Sequence, residues 1–431
     1  MMPDILISPE NPLVDDKLQV VIHGLQAHQN TTIKASTFEG NSKFSSFACY
    51  TSDKNGSISL AKHPSLSGTY TGIKPMGLFW SMIQDPGQKP GRRYVKRTVT
   101  TPQEVKITLY KGHLTWENVH SNKFTPLANK EIERLFKRSD VTRVEIKHGR
   151  LKGTLFIPPG HGPFPGVIDM FGTVGGIMEF RAAMLANKGF ITFALCYMTS
   201  YDVKEIETSY LQEAVTWFCS HPATMKTGIG MFGVSKGGEL ALLLSTICTK
   251  IKAVVNINGP PFNSSAPLAP FDNYVEMNHS AALTVQPDES LVFRTRDAIC
   301  DNLTSEKLTQ TWRTDVQILY LVGEDDQSLH PRCAQMFQET YPRSKQHNLT
   351  VVRYPGTGHL IEPPYLPICP SNNKTYVVDS FGEKIQKEVI LMWGGEKEAH
   401  SKAQEDSWNR IIMFFHSVLL KKNVYSLNSQ L

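Results

Sequence analysis

The sequence is short of several features that would have settled its class at once. Its 431 residues hold seven cysteines, Cys49, Cys196, Cys219, Cys248, Cys300, Cys333 and Cys369, and no two form a C-x-x-C pair. Cysteines scattered singly exclude a disulfide-dense scaffold and a finger-type zinc site. In apolar runs such as ITFALCY around Cys196 they read as small buried hydrophobes. No H-E-x-x-H, Walker loop or dinucleotide fingerprint occurs, and metal ligands do not cluster, so neither a metal nor a cofactor is expected. The longest apolar stretches, LALLLSTIC and IIMFFHSVLL, are too short to span a bilayer. The opening MMPDILISPENPLVDD lacks the basic and apolar regions of a secretory signal, so a soluble intracellular protein is expected. The N-x-S/T sequons at Asn30, Asn263 and Asn348 are then chance matches.

Charge is equally undemonstrative. The net +5 is mild, and the basic residues are not concentrated as in nucleic-acid modules, so no nucleic-acid partner is expected. With 40% apolar and 20% charged residues the composition is that of a globular chain, which excludes wholesale disorder.

What is there divides into two patterns. Up to residue 140, short runs rich in β-branched and aromatic residues (LQVVIHGL, TTIKASTF, FSSFACYTS, SISLA) recur about every ten residues, with Asn55-Gly56 as a hairpin signal between two of them. This spacing predicts an immunoglobulin-like β-sandwich over residues 1–140. From Val141 to residue 431, near-continuous apolar runs (GTLFIPP, PGVIDMF, FITFALCYM, GIGMFGVS, KAVVNING, VQILYLVGEDD, LTVVRYPG) alternate with helical patterns at Glu205–Phe218, Lys236–Cys248 and Ser407–Leu420. That alternation predicts an α/β domain with a doubly wound parallel sheet covered on both faces. Stretches 262–312 and 363–402 fit neither period and read as loops or insertions.

One motif carries chemistry. Gly233-Val234-Ser235-Lys236-Gly237 satisfies G-x-S-x-G, with a strand running in and a helix running out. A serine on such a turn sits in strained backbone, flanked by residues small enough to avoid clashes, with its Oγ above the sheet. The Lys236 N–H then points where an oxyanion forms. Serine needs a base oriented by a carboxylate, in the chain order Ser, acid, His. Of the 14 histidines only His359 follows a clean strand and a Gly-rich turn. The acid comes from Glu324-Asp325-Asp326 at the end of VQILYLVGEDD, and strand geometry leaves both aspartates open. A second oxyanion donor is expected from the DMFGTVGG loop, at Gly172 or Thr173, where the small residues Gly172, Gly175 and Gly176 let N–H groups approach the substrate. The cluster Lys89-Pro-Gly-Arg-Arg93 with Lys96-Arg97 is either a contact for a phosphate-rich substrate or a solvated loop.

Across nearly its whole length the chain resembles the acyl-CoA thioesterases and the related bile acid-CoA:amino acid N-acyltransferases. The resemblance rests on GTYTGIKPMGLFWSM (68–82), GRLKGTLFIPPGHGPFPGVIDMFG (149–172), GIGMFGVSKGGELAL (228–242), LVGEDD (321–326), YPGTGHLIEPPYLPIC (354–369) and WGGEKEAHSKAQEDSW (393–408). It implies a β-sandwich followed by an α/β-hydrolase domain, an acyl-CoA substrate, and a Ser235–Asp326–His359 triad, which puts the acid on the second aspartate. The bile-acid transferase carries cysteine at the nucleophile; serine followed by KGGEL looks like the thioesterase branch. YPGTGHLIEPPY and Ser429-Gln430-Leu431 look like the transferase branch, in which glycine or taurine accepts the acyl group. Ser429-Gln430-Leu431 is also a variant of the Ser-Lys-Leu address read by the peroxisomal import receptor, so a peroxisomal protein is expected, with the cytosol as the alternative. The expectation is an acyl-CoA thioesterase, with an amino acid N-acyltransferase as the alternative.

Overall fold

The computed structural model describes residues 2–173, 176–198, 205–264, 267–269, 271, 273–276, 282–286, 290–296, 298, 303–380 and 383–420. The chain forms two compact units, residues 1–136 with 362–373, and residues 137–361 with 374–431. Among the described residues, no helix is long and apolar enough to cross a membrane.

The first unit is built from antiparallel sheets. In the larger, the strands run Ser67–Gly68, Ser42–Thr51, Asn30–Glu39, Gln103–Lys111, Ala128–Arg134, with Ile83–Gln84 also paired to Ser42–Thr51. The smaller joins Asp4–Ser8, Gln19–His23 and Ile58–Ser59. Alternation decides which side faces in: Val105, Ile107 and Leu109 are buried while Glu104 and Lys106 are exposed. Asn55-Gly56 does not close the expected hairpin. Its turn chemistry is present, since Asp53 Oδ1 accepts the N–H groups of Asn55 (2.8 Å) and Ser57 (2.9 Å). The strand before it, however, pairs with Asn30–Glu39, and the strand after it pairs with Gln19–His23. A local turn signal does not say which distant strand each arm will join.

The division at residue 140 also misses a return of the chain, because residues 362–373 belong to the first unit. There the Ile368 N–H donates to Trp80 O (3.1 Å), and the guanidinium of fully buried Arg134 donates to Tyr365 O (3.1 Å), Gln103 Oε1 (2.8 Å) and Val14 O while lying 4.7 Å from the Phe79 ring. Part of the basic cluster is committed inside this unit: Arg93 is ion-paired with Glu362, and buried Lys96 stands 3.5 Å from Glu39 and donates to Pro102 O.

The second unit holds an eight-stranded sheet, made of β1 (Thr142–His148), β2 (Leu151–Ile157), β3 (Phe164–Met170), β4 (Ile191–Leu195), β5 (Thr224–Val234), β6 (Ile251–Ile257), β7 (Gln317–Gly323) and β8 (Leu349–Tyr354). The spatial order is β1-β2-β4-β3-β5-β6-β7-β8. All neighbours are parallel except at β2, which runs antiparallel to both β1 and β4. The helices are α1 (Phe180–Ala186), α2 (Thr208–Ser220), α3 (Lys236–Ser245), α4 (Arg332–Thr340) and α5 (Lys397–Leu419).

Both faces of this sheet are covered, as the continuous apolar strands require. In β5, Met231 joins the core formed with Leu211 and Phe218 of α2, Leu240 of α3 and Phe337 of α4. Its neighbour Phe232 points the other way, to Trp408 and Phe415 of α5, at 6.5 and 6.3 Å between ring centroids. The stretches read as loops or insertions carry further strands: Leu283–Val285, Leu291–Phe293 and Glu383–Met392 pair in a small separate sheet.

Candidate active site

Ser235 sits between β5 and α3 with φ 55° and ψ −126°, a left-handed conformation that L residues rarely adopt. The flanking glycines are what permit the turn. A Cβ at Gly233 would lie 2.3 Å from the carbonyl of Gly237, and one at Gly237 would lie 2.1 Å from Met170 O. The strain is held by backbone bonds on both sides. The Ser235 N–H donates to Ile257 O of β6 (2.9 Å), and its carbonyl accepts from Gly238 (2.9 Å) and Glu239 (3.1 Å).

The residues expected as acid and base meet at the ends of β7 and β8. His359 Nδ1 donates to Asp326 Oδ2 at 2.7 Å, with the two residues only 2% and 1% exposed. Asp326 Oδ1 accepts the N–H groups of Ser328 (2.6 Å) and Leu329 (2.9 Å), so the buried carboxylate is satisfied on both oxygens. The other carboxylates have other places. Asp325 accepts from the Gly395 N–H and from Gln327 Nε2, both at 2.8 Å, and Glu324 is exposed. Between Asp325 and Asp326, which the strand pattern left open, it is Asp326 that faces His359.

Adjacent residues at the end of β6 hold both loops. Ile257 accepts from Ser235, and the Asn258 amide donates to Gly358 O (3.2 Å) and His359 O (2.8 Å) while its Oδ1 accepts from Gly323 N–H (2.8 Å) at the end of β7. Two further residues escaped the reading of the sequence. The Trp393 ring stacks on the His359 imidazole at 5.5 Å and 15°, and Trp393 O accepts the His359 N–H (2.8 Å). His400 of α5 brackets the same loop: its Nδ1 accepts from Gly358 N–H (3.1 Å) and its Nε2 donates to Leu360 O (2.9 Å). Burial pulls His400 down to about 4, so it is neutral at physiological pH, as this donor–acceptor pattern demands. Trp393 and His400 lie in WGGEKEAHSK, a conspicuous segment whose role no periodicity reveals.

Of the groups expected to hold an oxyanion, Gly172 and Lys236 adjoin the serine. Gly172, after β3, stands so close that a Cβ there would be 3.1 Å from Ser235 Cβ and 3.6 Å from its Oγ. Thr173 is exposed beside it. Lys236 begins α3, and its ammonium is ion-paired with Glu239 in the interior. Burial lowers the lysine and raises the glutamate, each shift opposed by the partner's charge. Glu239 in turn accepts the Ser264 N–H (2.9 Å). Among the described residues, no group of three or more His, Cys, Asp or Glu side chains converges as a metal site.

A sheet of this order with one inverted strand, and a strained serine on the turn after β5, define an α/β hydrolase. The chain belongs to the acyl-CoA thioester hydrolase and bile acid-CoA:amino acid N-acyltransferase family. Residues 15–148 match the model described as Acyl-CoA thioester hydrolase/BAAT N-terminal region, and residues 206–421 that described as BAAT / Acyl-CoA thioester hydrolase C terminal. In Mus musculus it is 35% identical to acyl-coenzyme A amino acid N-acyltransferase 2, covering 98% of this chain and 99% of that one. It is 34% identical to acyl-coenzyme A thioesterase 3 (97% and 95%) and 34% to bile acid-CoA:amino acid N-acyltransferase (96% and 97%). The solved structure of a Mycobacterium tuberculosis puromycin-hydrolyzing peptidase aligns over 97% of this chain and 68% of that one, at 11% identity and a TM-score of 0.42.

Proposed function

We propose that the chain is an acyl-CoA thioesterase that releases a free fatty acid and CoA through an acyl-serine intermediate. Ser235 Oγ attacks the thioester carbonyl while His359 takes its proton, and Asp326 holds the imidazole in the tautomer that accepts it. The oxyanion is held by the Lys236 N–H and by the N–H groups of Gly172 and Thr173. The tetrahedral intermediate collapses, the carbon–sulfur bond breaks, and His359 returns the proton to the CoA sulfur. Water then attacks the acyl-serine with His359 as base, and the fatty acid leaves as the Ser235 hydroxyl re-forms.

The observation that carries this reading is a strained serine on the turn after β5, in a chain that also pairs buried Asp326 and His359 at the ends of β7 and β8. A cysteine acyl-enzyme is a thioester, readily attacked by an amine. A serine acyl-enzyme is an oxyester, less reactive toward amines, and the excess of water then decides the acceptor. Relatives named for amino acid N-acyltransfer favour a second reading, in which the same acyl-serine is attacked by glycine or taurine. Ser235→Ala is expected to abolish CoA release from a long-chain acyl-CoA, measured with a thiol reagent; substantial residual turnover contradicts both readings.

We further propose that the protein works in the peroxisome, with the cytosol as the alternative. A relative named peroxisomal succinyl-coenzyme A thioesterase, 33% identical over 93% of this chain, supports this. Ser429-Gln430-Leu431 lies outside the described residues. A fluorescent protein fused to the N-terminus should colocalise with peroxisomes and disperse when Leu431 is deleted; an unchanged distribution counts against the address.

A further inference from the structure

The loop that carries Gly172 is held from behind by side chains with no part in the triad. After β4 the chain delivers Tyr197, whose hydroxyl lies 2.5 Å from Phe171 O and 2.8 Å from Gly172 O, one donor shared between two successive carbonyls. The carbonyl before these, Met170 O, accepts from Arg181 Nη2 at 3.0 Å. Arg181 is itself fully buried, ion-paired with Asp169, with its guanidinium 4.2 Å from the Phe232 ring and 5.0 Å from the Phe171 ring. Three consecutive peptide carbonyls at the end of β3 are therefore fixed in direction by side-chain donors. Burial pushes the Tyr197 phenol well above its ordinary range, so it remains a donor at any physiological pH.

A trans peptide is planar, with its C=O and N–H pointing to opposite sides. The carbonyl of Phe171 shares its plane with the N–H of Gly172, and the carbonyl of Gly172 shares its plane with the N–H of Thr173. Whatever grips these two carbonyls also aims those two N–H groups. Ser235 stands against Gly172, within van der Waals reach of any Cβ placed there.

We propose that Tyr197 is the positioning residue of the oxyanion site, turning the N–H groups of Gly172 and Thr173 toward the carbonyl oxygen of the acyl group on Ser235. The proposal rests on the reading of Ser235 as the nucleophile. Tyr197 acts through the loop backbone; it preorganises the peptide dipoles so that they need not reorient as charge develops. The contribution therefore belongs to the transition state, not to the binding of acyl-CoA.

Tyr197→Phe removes the hydroxyl and keeps the ring. Losing a direct oxyanion donor costs on the order of a hundred- to a thousand-fold in kcat; losing its support should cost roughly ten- to a hundred-fold, with KM within about twofold of wild type. Affinity for a trifluoromethyl ketone analogue of the acyl-CoA, whose adduct places an oxyanion on the tetrahedral carbon, should fall by the same factor as kcat. Affinity for an unreactive thioether analogue should stay unchanged and so report an intact fold. Wild-type kcat and ketone affinity in the variant overturn the proposal, and so does an equal fall for both analogues, which marks a merely structural role. Labelling of Ser235 by a fluorophosphonate separates the two layers. A wild-type enzyme that neither labels nor turns over acyl-CoA overturns the functional reading and this proposal together, whereas a wild type that does both, beside a fully active Tyr197→Phe, overturns this proposal alone.

Discussion

At the residue scale, two neighbouring aspartates in one short turn have different duties. Asp326 accepts from His359 and from two backbone N–H groups, whereas Asp325 accepts from Gly395 and Gln327. Asp326→Asn keeps the shape but offers the imidazole a donor instead of a carboxylate, favouring the wrong tautomer. It should lower kcat roughly a thousand- to ten-thousand-fold while leaving thermal stability nearly intact. Asp325→Ala should do the reverse. Leaving the Gly395 N–H without its partner costs about 1–2 kcal/mol of unfolding free energy, with far less loss of kcat than Asp326→Asn. Denaturant unfolding and steady-state kinetics on both variants separate the two. If the large kcat loss follows Asp325 instead, the acid has been placed on the wrong residue.

At the scale of elements, the active-site loops are held by α5 and the turn before it. His400 meets the backbone on both sides of His359 as a neutral imidazole. Its folded value of about 4 lies below the ordinary 6.5. The unfolded chain takes up this proton as pH falls past about 6.5, and the folded chain does so only near 4. Stability from this group is thus complete above about pH 6.5 and lost progressively between the two values, by roughly 3 kcal/mol in all. His400→Gln can keep one donor and one acceptor and cannot titrate, so its stability should fall less steeply than wild type over that window. Parallel curves of unfolding free energy against pH would remove His400 from the account. Elements of this kind were the least legible in the sequence. The seven apolar runs all became strands and the serine turn formed where its glycines allow it, because strand burial and backbone clash are local properties. Strand β1 went unread because it lies at the sheet edge with only Ile146 buried, so no apolar pattern marks it. Short α1 and α4 were missed for want of length. The partners of the site, Tyr197, Asn258, Trp393 and His400, act across 25 to 101 residues of sequence, which no periodicity records.

At the scale of the whole molecule, the chain is not two beads in series. Three residues after His359 it enters the first unit, where Glu362–Asn373 packs before the second unit resumes. Tyr365, Leu366 and Ile368 are all nearly inaccessible there, and Arg134 and Trp80 bind their backbone. A cut after residue 136 would strip this segment of those partners and expose its apolar side chains. Residues 137–431 expressed alone should be insoluble or inactive; a soluble, active fragment would contradict this interdependence. The central claim is narrower, that the acyl group on Ser235 goes to water. The most direct measurement incubates the enzyme with a long-chain acyl-CoA and excess glycine or taurine, then identifies the products by mass spectrometry. Free fatty acid as the dominant product, formed by the wild type and not by Ser235→Ala, is the predicted result. Acyl-glycine or acyl-taurine as the main product would contradict it and make the protein an N-acyltransferase.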